Sequence, residues 1–183
     1  FSHPNDFSPI CTTEIIGLAK ADTYFKKINT ELIGISVDSL NSHLAWLYDI
    51  YLKTGLIVNF PIIADQNGVI ARKYGMISND VSSTETVRNI FIIDDKGIIR
   101  SIFVYPMNIG RYIPEILRTV TALQYSDQNN CMTPANWSPG NPMIVPPPKT
   151  FNALRERNES INKNRNGMCW YLSFKNPETK KLE

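Results

Sequence analysis

Four short apolar runs, each bounded by polar or turn residues, set the tightest limit on how this chain can fold. They are "ELIGISVD" (31–38), "FPIIAD" (60–65), "VRNIFIID" (87–94) and "IIRSIFVYP" (98–106). Runs of this length rich in β-branched residues read as strands of a largely buried sheet. Asp95-Lys96-Gly97 separates the last two and marks a hairpin turn. Segments of helical period lie between and around them. The first is a helix from Ser8 to about Ile28, with Ile15, Leu18, Ala19 and Phe25 inward. The second runs through "SLNSHLAWLYDIYLKTG", with Leu40, His43, Leu44, Leu47 and Tyr51 on one face. A short helix is expected in "NGVIARKYG", and a long one in "GRYIPEILRTVTALQYSDQ", with Ile113, Ile116, Leu117, Val120 and Leu123 inward. Strands alternating with helices in this order predict an α/β protein, a mixed central sheet flanked by helices.

After residue 128 the composition changes. "TPANWSPGNPMIVPPPKT" is rich in proline, glycine and asparagine, yet Trp137, Met143, Ile144, Val145, Trp170, Tyr171 and Phe174 lie in or beyond it. So many large apolar residues argue against a plain linker and predict an extended arm that packs on the core or on a second subunit. The organisation expected is a domain over 1–128 and an arm over 129–183.

Charge narrows the partners. Nineteen Lys and Arg against seventeen Asp and Glu leave +2, which argues against nucleic acid or an anionic membrane surface as partner. No apolar run is long enough to span a bilayer. Three cysteines without a Cys-x-x-Cys pair fit neither a disulfide framework nor a zinc-ligand spacing, so neither metal nor cofactor is expected, and a reducing cytoplasm is the simpler setting.

One cysteine stands out by position. In "FSHPNDFSPICTTE", Ser8 is a good N-cap residue, Pro9 fits the first helical position, and Cys11 falls in the first turn. A free thiol with pKa about 8.5 must lose roughly 2.5 units to react well at neutral pH, about 3.4 kcal/mol of differential stabilisation. A helix N-terminus contributes about 0.3–1 kcal/mol, and a hydrogen bond to a charged group about 1.5–3 kcal/mol. A nucleophile at this helix start therefore needs an arginine. Arg88, at the head of an apolar strand, and Arg111, just after Gly110, are the candidates. Ser8 could offer its hydroxyl beside the sulfur, and Pro4 could shield the pocket from water.

"HPNDFSPICTTE" resembles the active-site signature of the peroxiredoxins, Pro-x-x-x-Thr/Ser-x-x-Cys, as Pro4, Ser8 and Cys11. "VRNIFIIDDKGIIR", "GRYIPEILRTVTALQ", "NFPIIADQNGVIARKYGM" and "TPANWSPG" are similar to family stretches in the same order. His3 in "SHP", "TTE" after the cysteine, and the long arm with "VPPP" resemble the one-cysteine branch. The resemblance implies a thioredoxin-like fold and a thiol-dependent peroxidase that reduces hydrogen peroxide and organic hydroperoxides through a sulfenic acid. Carried over by position, Cys11 is the peroxidatic cysteine, with Pro4, Ser8 and Arg88 at the catalytic pocket and Arg111 and His3 at the substrate. The implied partners are a peroxide, a thiol reductant and a second copy of the chain, as a homodimer that could assemble into a ring-shaped decamer. For resolution of oxidised Cys11 the order is no internal cysteine or Cys169, then Cys131. Family members carry strands before the motif, one leading into it, and Phe1 and Ser2 correspond to its end. The rival function is an oligomeric chaperone-like binding protein on the same scaffold.

Overall fold

The computed structural model describes residues 1–78, 80–164 and 166–176. The chain divides into two compact units, Phe1–Leu117 and Arg118–Glu183. The first carries α1 (Pro9–Lys27), β1 (Gly34–Ser36), α2 (Leu40–Thr54), β2 (Ile62–Ala64), α3 (Val69–Lys73), β3 (Arg88–Ile93) and β4 (Ile99–Tyr105). Helix α4 (Ile113–Asn129) crosses the division, and β5 (Met143–Ile144), α5 (Phe151–Asn164), β6 (Gly167–Cys169) and β7 (Leu172–Lys175) belong to the second unit.

In the first unit β1 pairs in parallel with β2, Ile35 opposite Ile63, and β3 pairs antiparallel with β4. Gly97, at φ 76°, turns the β3–β4 hairpin in a conformation that an L side chain rarely adopts. Residues 1–3 lie between the two pairs. Ser2 bridges in parallel to Ile35, the amides of Ile35 and His3 bond Phe1 O at 2.9 Å and Ile35 O at 3.1 Å, and the Ser2 amide donates to Asn89 O at 3.0 Å. On the same side Ser2 Oγ accepts from the Asn89 amide and donates to Val87 O. The order across the sheet is β2, β1, residues 1–3, β3, β4, a mixed sheet of thioredoxin-like type. Close approach at its centre requires Gly34, where an added Cβ would come within 3.0 Å of the Phe1 ring.

Packing corrects three expectations. Helix α2 buries His43, Trp46 and Ile50, while Leu40, Leu44 and Tyr51 are exposed. The segment is apolar on two faces, and the one holding the indole and a hydrogen-bonded imidazole wins the interior. Arg111 lies two residues before α4, in the loop that enters it. The fourteen-residue α5 was unforeseen, because charged and amide side chains dominate "FNALRERNESINKN"; Thr150 opens it, its Oγ1 accepting from the Ala153 amide at 3.2 Å.

The second unit has its own interior. Trp137 and Met143 are essentially inaccessible, and the strand order is β5, β7, β6. Trp137 Nε1 donates to Asn141 O at 3.1 Å, and Arg157 Nη1 donates to Ser173 Oγ at 2.6 Å. Trp170 and Tyr171, expected to pack the arm, are exposed at the β6–β7 turn.

Candidate active site

The first turn of α1 presents Cys11 inward, fully buried, on a face that continues through Glu14, Leu18, Asp22 and Phe25. Pro9 occupies the start of this helix and Ser8 its N-cap. The Ser8 carbonyl accepts from the Thr12 amide at 2.9 Å, but its hydroxyl makes no cap bond, contrary to the sequence expectation. Ser8 Oγ is instead buried with no hydrogen-bond partner. A buried hydroxyl left free in this way is available to a ligand. Phe7, just before, takes φ 56°, so the backbone bends as it enters the helix.

Arg88 enters from the head of β3. Its Nη1 donates to Cys11 Sγ at 3.3 Å and to Glu14 Oε2 at 2.7 Å, and its Nε to Met107 O at 2.9 Å. Arg111 enters from the loop before α4. Its Nη1 reaches Glu14 Oε2 at 2.8 Å, its amide reaches Glu14 Oε1 at 3.0 Å, and its Nη2 reaches the carbonyls of Ser2 and, at 3.1 Å, Asn89. Phe1 covers the guanidinium, ring centroid 5.7 Å from its central carbon. Burial draws the Arg111 pKa below the ordinary arginine value; Glu14 pulls it up, and Arg88 adds to the lowering. The residue remains a cation in any ordinary medium.

This is a buried array of two guanidiniums and one carboxylate, with a sulfur under one guanidinium. Three buried charges are costly unless each is hydrogen-bonded, and here the contacts supply partners for all three. One positive charge is left over, positioned against Sγ, where it stabilises negative charge on sulfur and on any oxygen bound there.

A second buried cluster adjoins this one through residues 3–6. His3 Nε2 lies 2.8 Å from Asp6 Oδ1, and His43 Nδ1 lies 2.8 Å from Asp6 Oδ2. Trp46 packs on the His3 ring at 5.2 Å and donates to Thr12 Oγ1 at 3.2 Å, beside Cys11. Burial alone would raise the Asp6 pKa, but hydrogen bonds from His3, His43 and Ser42 hold it well below the usual carboxylate range. Burial disfavours a charged His43, yet Asp6, the Ile63 backbone and Asp38 outweigh it and raise its pKa above the ordinary histidine value. His3, Asp6 and His43 are also the group among the described residues whose donor atoms could converge on a metal ion.

Of the residues singled out in the sequence, Cys11, Arg88 and Arg111 come together, Pro4 and Ser8 flank the cysteine in the chain, and His3 joins the neighbouring cluster. Cys131 is buried and Cys169 half-buried, both in the second unit, and all three thiols are free. Glu14, Asp6 and His43 were missed. For Glu14 the signal was present, since an acid three residues after Cys11 falls on the buried stripe of the helix.

A thioredoxin-like sheet that sets a cysteine at a helix start beneath an arginine defines the class of thioredoxin-fold thiol peroxidases. The comparisons agree. Residues 1–102 match the AhpC/TSA family, and residues 122–160 match the C-terminal domain of 1-Cys peroxiredoxin. Peroxiredoxin 2 of Caldanaerobacter subterraneus subsp. tengcongensis is 51% identical over 177 residues, 96% of this chain and 79% of that protein. The peroxiredoxin of Aquifex aeolicus is 45% identical over 96% of this chain and 82% of its own. Among solved structures, a yeast mitochondrial 1-Cys peroxiredoxin superposes with TM-score 0.82 at 40% identity, over 96% of this chain and 84% of that one. A cysteine-to-serine mutant of the Peroxiredoxin 6 of Arenicola marina gives TM-score 0.82 at 31% identity, over 97% and 84%. The chain belongs to the peroxiredoxin family, in its one-cysteine branch. It is a thiol-dependent peroxidase, acting on peroxides at the expense of a thiol reductant.

Proposed function

We propose that Cys11 is the peroxidatic nucleophile and that Arg88 is the group that activates it. The Cys11 thiolate attacks the terminal oxygen of a hydroperoxide; the S–O bond forms as the O–O bond breaks, and the departing oxygen takes a proton to leave as water or an alcohol. Arg88 stabilises the sulfur anion before attack and the charge that passes to the peroxide oxygens during it. Ser8 Oγ, buried and free, holds the bound peroxide by a hydrogen bond, and Pro4 keeps bulk water out. Arg111 acts through Glu14, fixing the carboxylate that aligns Arg88. The observation that carries this reading is the 3.3 Å contact between Arg88 Nη1 and Sγ, with the same guanidinium anchored to Glu14 and the Met107 carbonyl.

The resulting sulfenic acid returns to thiol by attack of a reductant thiol, releasing water, and a second thiol then cleaves the mixed disulfide. The reductant comes from outside the chain or is Cys169, with Cys131 third in order. Residues 1–128 form the peroxidase domain and 129–183 an arm that serves dimerisation, within a homodimer able to form a ring, and the protein works in the cytoplasm. The exposed apolar stripe on α2, Leu40, Leu44, Tyr48 and Leu52, supports self-assembly.

Rapid-mixing measurement of peroxide consumption tests the central assignment. Cys11→Ser should fall to background while the doubly substituted Cys131→Ser/Cys169→Ser retains the first turnover; a Cys11→Ser protein that consumes peroxide at the parent rate overturns it. Peptide mass spectrometry after one equivalent of peroxide then separates a Cys11 sulfenic acid from a Cys11 disulfide to Cys169 or to Cys131.

A further inference from the structure

The peroxide chemistry uses neither Asp6 nor His43, although both are almost wholly inaccessible and point at a common centre with His3. One ligand atom from each lies within 4.8 Å of the other two. We propose that His3 Nε2, the Asp6 carboxylate and His43 Nδ1 form a binding site for one divalent transition-metal ion of borderline softness, of which Zn²⁺ is the type, with water in the remaining position.

The donor set decides the class of ion. Two imidazoles and one carboxylate, with one position left open, is a combination that zinc accepts. No thiolate belongs to the cluster, so nothing selects for the softest ions. A single carboxylate without a cage of further oxygens suits neither Ca²⁺ nor Mg²⁺. Donors on a tetrahedral ion at about 2.0–2.1 Å stand roughly 3.3 Å apart. His3 Nε2 and His43 Nδ1 each stand 2.8 Å from a different oxygen of Asp6. An ion held by both oxygens therefore needs these contacts to open only slightly, while one held by a single oxygen needs the longer separations, up to 4.8 Å, to close. Asp6 supplies one negative charge to the dication, and Asp38, which accepts from the Asp6 amide at 3.1 Å, adds to the negative field at His43.

Binding requires the protons to move. The ion replaces the hydrogens now shared with Asp6, and each neutral imidazole then carries its proton on the other nitrogen. Those nitrogens, His3 Nδ1 and His43 Nε2, are buried and have no hydrogen-bond partner, so both are open to the transferred proton. The Ile63 backbone stands beside His43, and a backbone carbonyl is a common outer partner of a metal-bound histidine. The bound ion would tie residues 3–6, which run directly into the helix bearing Cys11, to α2.

Cobalt(II) is the probe, in the chain with Cys11, Cys131 and Cys169 all changed to Ser so that no thiolate competes. One Co²⁺ per chain is expected, with visible d–d absorption, no sulfur-to-cobalt charge-transfer band, and displacement by Zn²⁺ but not by Mg²⁺. Zn²⁺ should raise the Tm of the same protein. His43→Asn and Asp6→Asn should each weaken Co²⁺ binding more than about tenfold. Hyperfine-shifted imidazole N–H resonances from two histidines should appear in the proton spectrum of the cobalt form, a readout that needs no substitution at the proposed ligands. Absence of those two resonances, or unchanged Co²⁺ affinity in a folded His43→Asn protein, overturns the proposal.

Discussion

Glu14 receives both guanidiniums and the Arg111 amide, and it does so inside the protein at 3% exposure. Its replacement by Gln keeps the shape and removes the only negative charge among these groups. Removing one partner of a buried ionic array typically costs about 3–5 kcal/mol. Glu14→Gln should therefore lower stability by about 3 kcal/mol in denaturant titration, with a loss of kcat/KM beyond that of a mere folding defect. Arg88→Lys retains charge but not the fork that reaches Sγ, Glu14 and Met107 O together. Losing a charge-assisted hydrogen bond of about 1.5–3 kcal/mol predicts kcat/KM for peroxide lower by on the order of 10- to 100-fold, measured at saturating reductant. At this scale the sequence was readable where energetics demanded a partner. A thiol at a helix start needs a cation, and Arg88 and Arg111 stood in the right order. Asp6 and His43 carried no such demand, because 37 residues separate them in the chain and only folding brings them together.

Among the elements, the β3–β4 hairpin depends on one side chain at its turn. Asp94 accepts from the amides of Ile98 at 2.9 Å and Lys96 at 3.0 Å and from Arg100 at 3.3 Å. These contacts, the Ile98 amide foremost, lower its pKa against a smaller effect of burial. Because the folded value lies below the unfolded one, near 3.9, the stabilisation is present above the unfolded value and is lost as pH falls through the folded one. Protection factors of the hairpin amides, exchange rates corrected for the intrinsic effect of pH, should fall in acid, and Asp94→Asn should weaken that acid dependence. Helix α2 starts at Ser39, whose Oγ accepts from the Ser42 amide at 3.2 Å. Ser39→Ala should cost about 1 kcal/mol in thermal or denaturant unfolding. Element type was legible wherever periodicity was strong: each expected strand and helix of the first unit exists. Facing was not, since α2 carries apolar residues around most of its circumference and His43 holds an inward position through Asp6. Nor was α5, whose apolar residues are too sparse to signal a buried stripe.

For the whole molecule, the apolar α2 stripe has a consequence in solution. Leu44, 58% exposed, sits within it, and Leu44→Glu should reduce the sedimenting mass at a fixed protein concentration if that stripe joins copies of the chain. An unchanged mass would assign assembly to another surface. The central sheet holds a further consequence, one of timing. Residues 1–3 join its two strand pairs only against partners near positions 35 and 89, Cys11 meets Arg88 across 77 residues of chain, and Glu14, which Arg88 also reaches, meets Arg111 across 97. At about 5–20 residues per second, a ribosome needs roughly 5–20 s to go from Glu14 to Arg111. On the assignment proposed above, the complete arrangement of Cys11, Glu14, Arg88 and Arg111 cannot form during that interval, so the nascent chain is expected to gain its peroxidase chemistry only when its sheet closes.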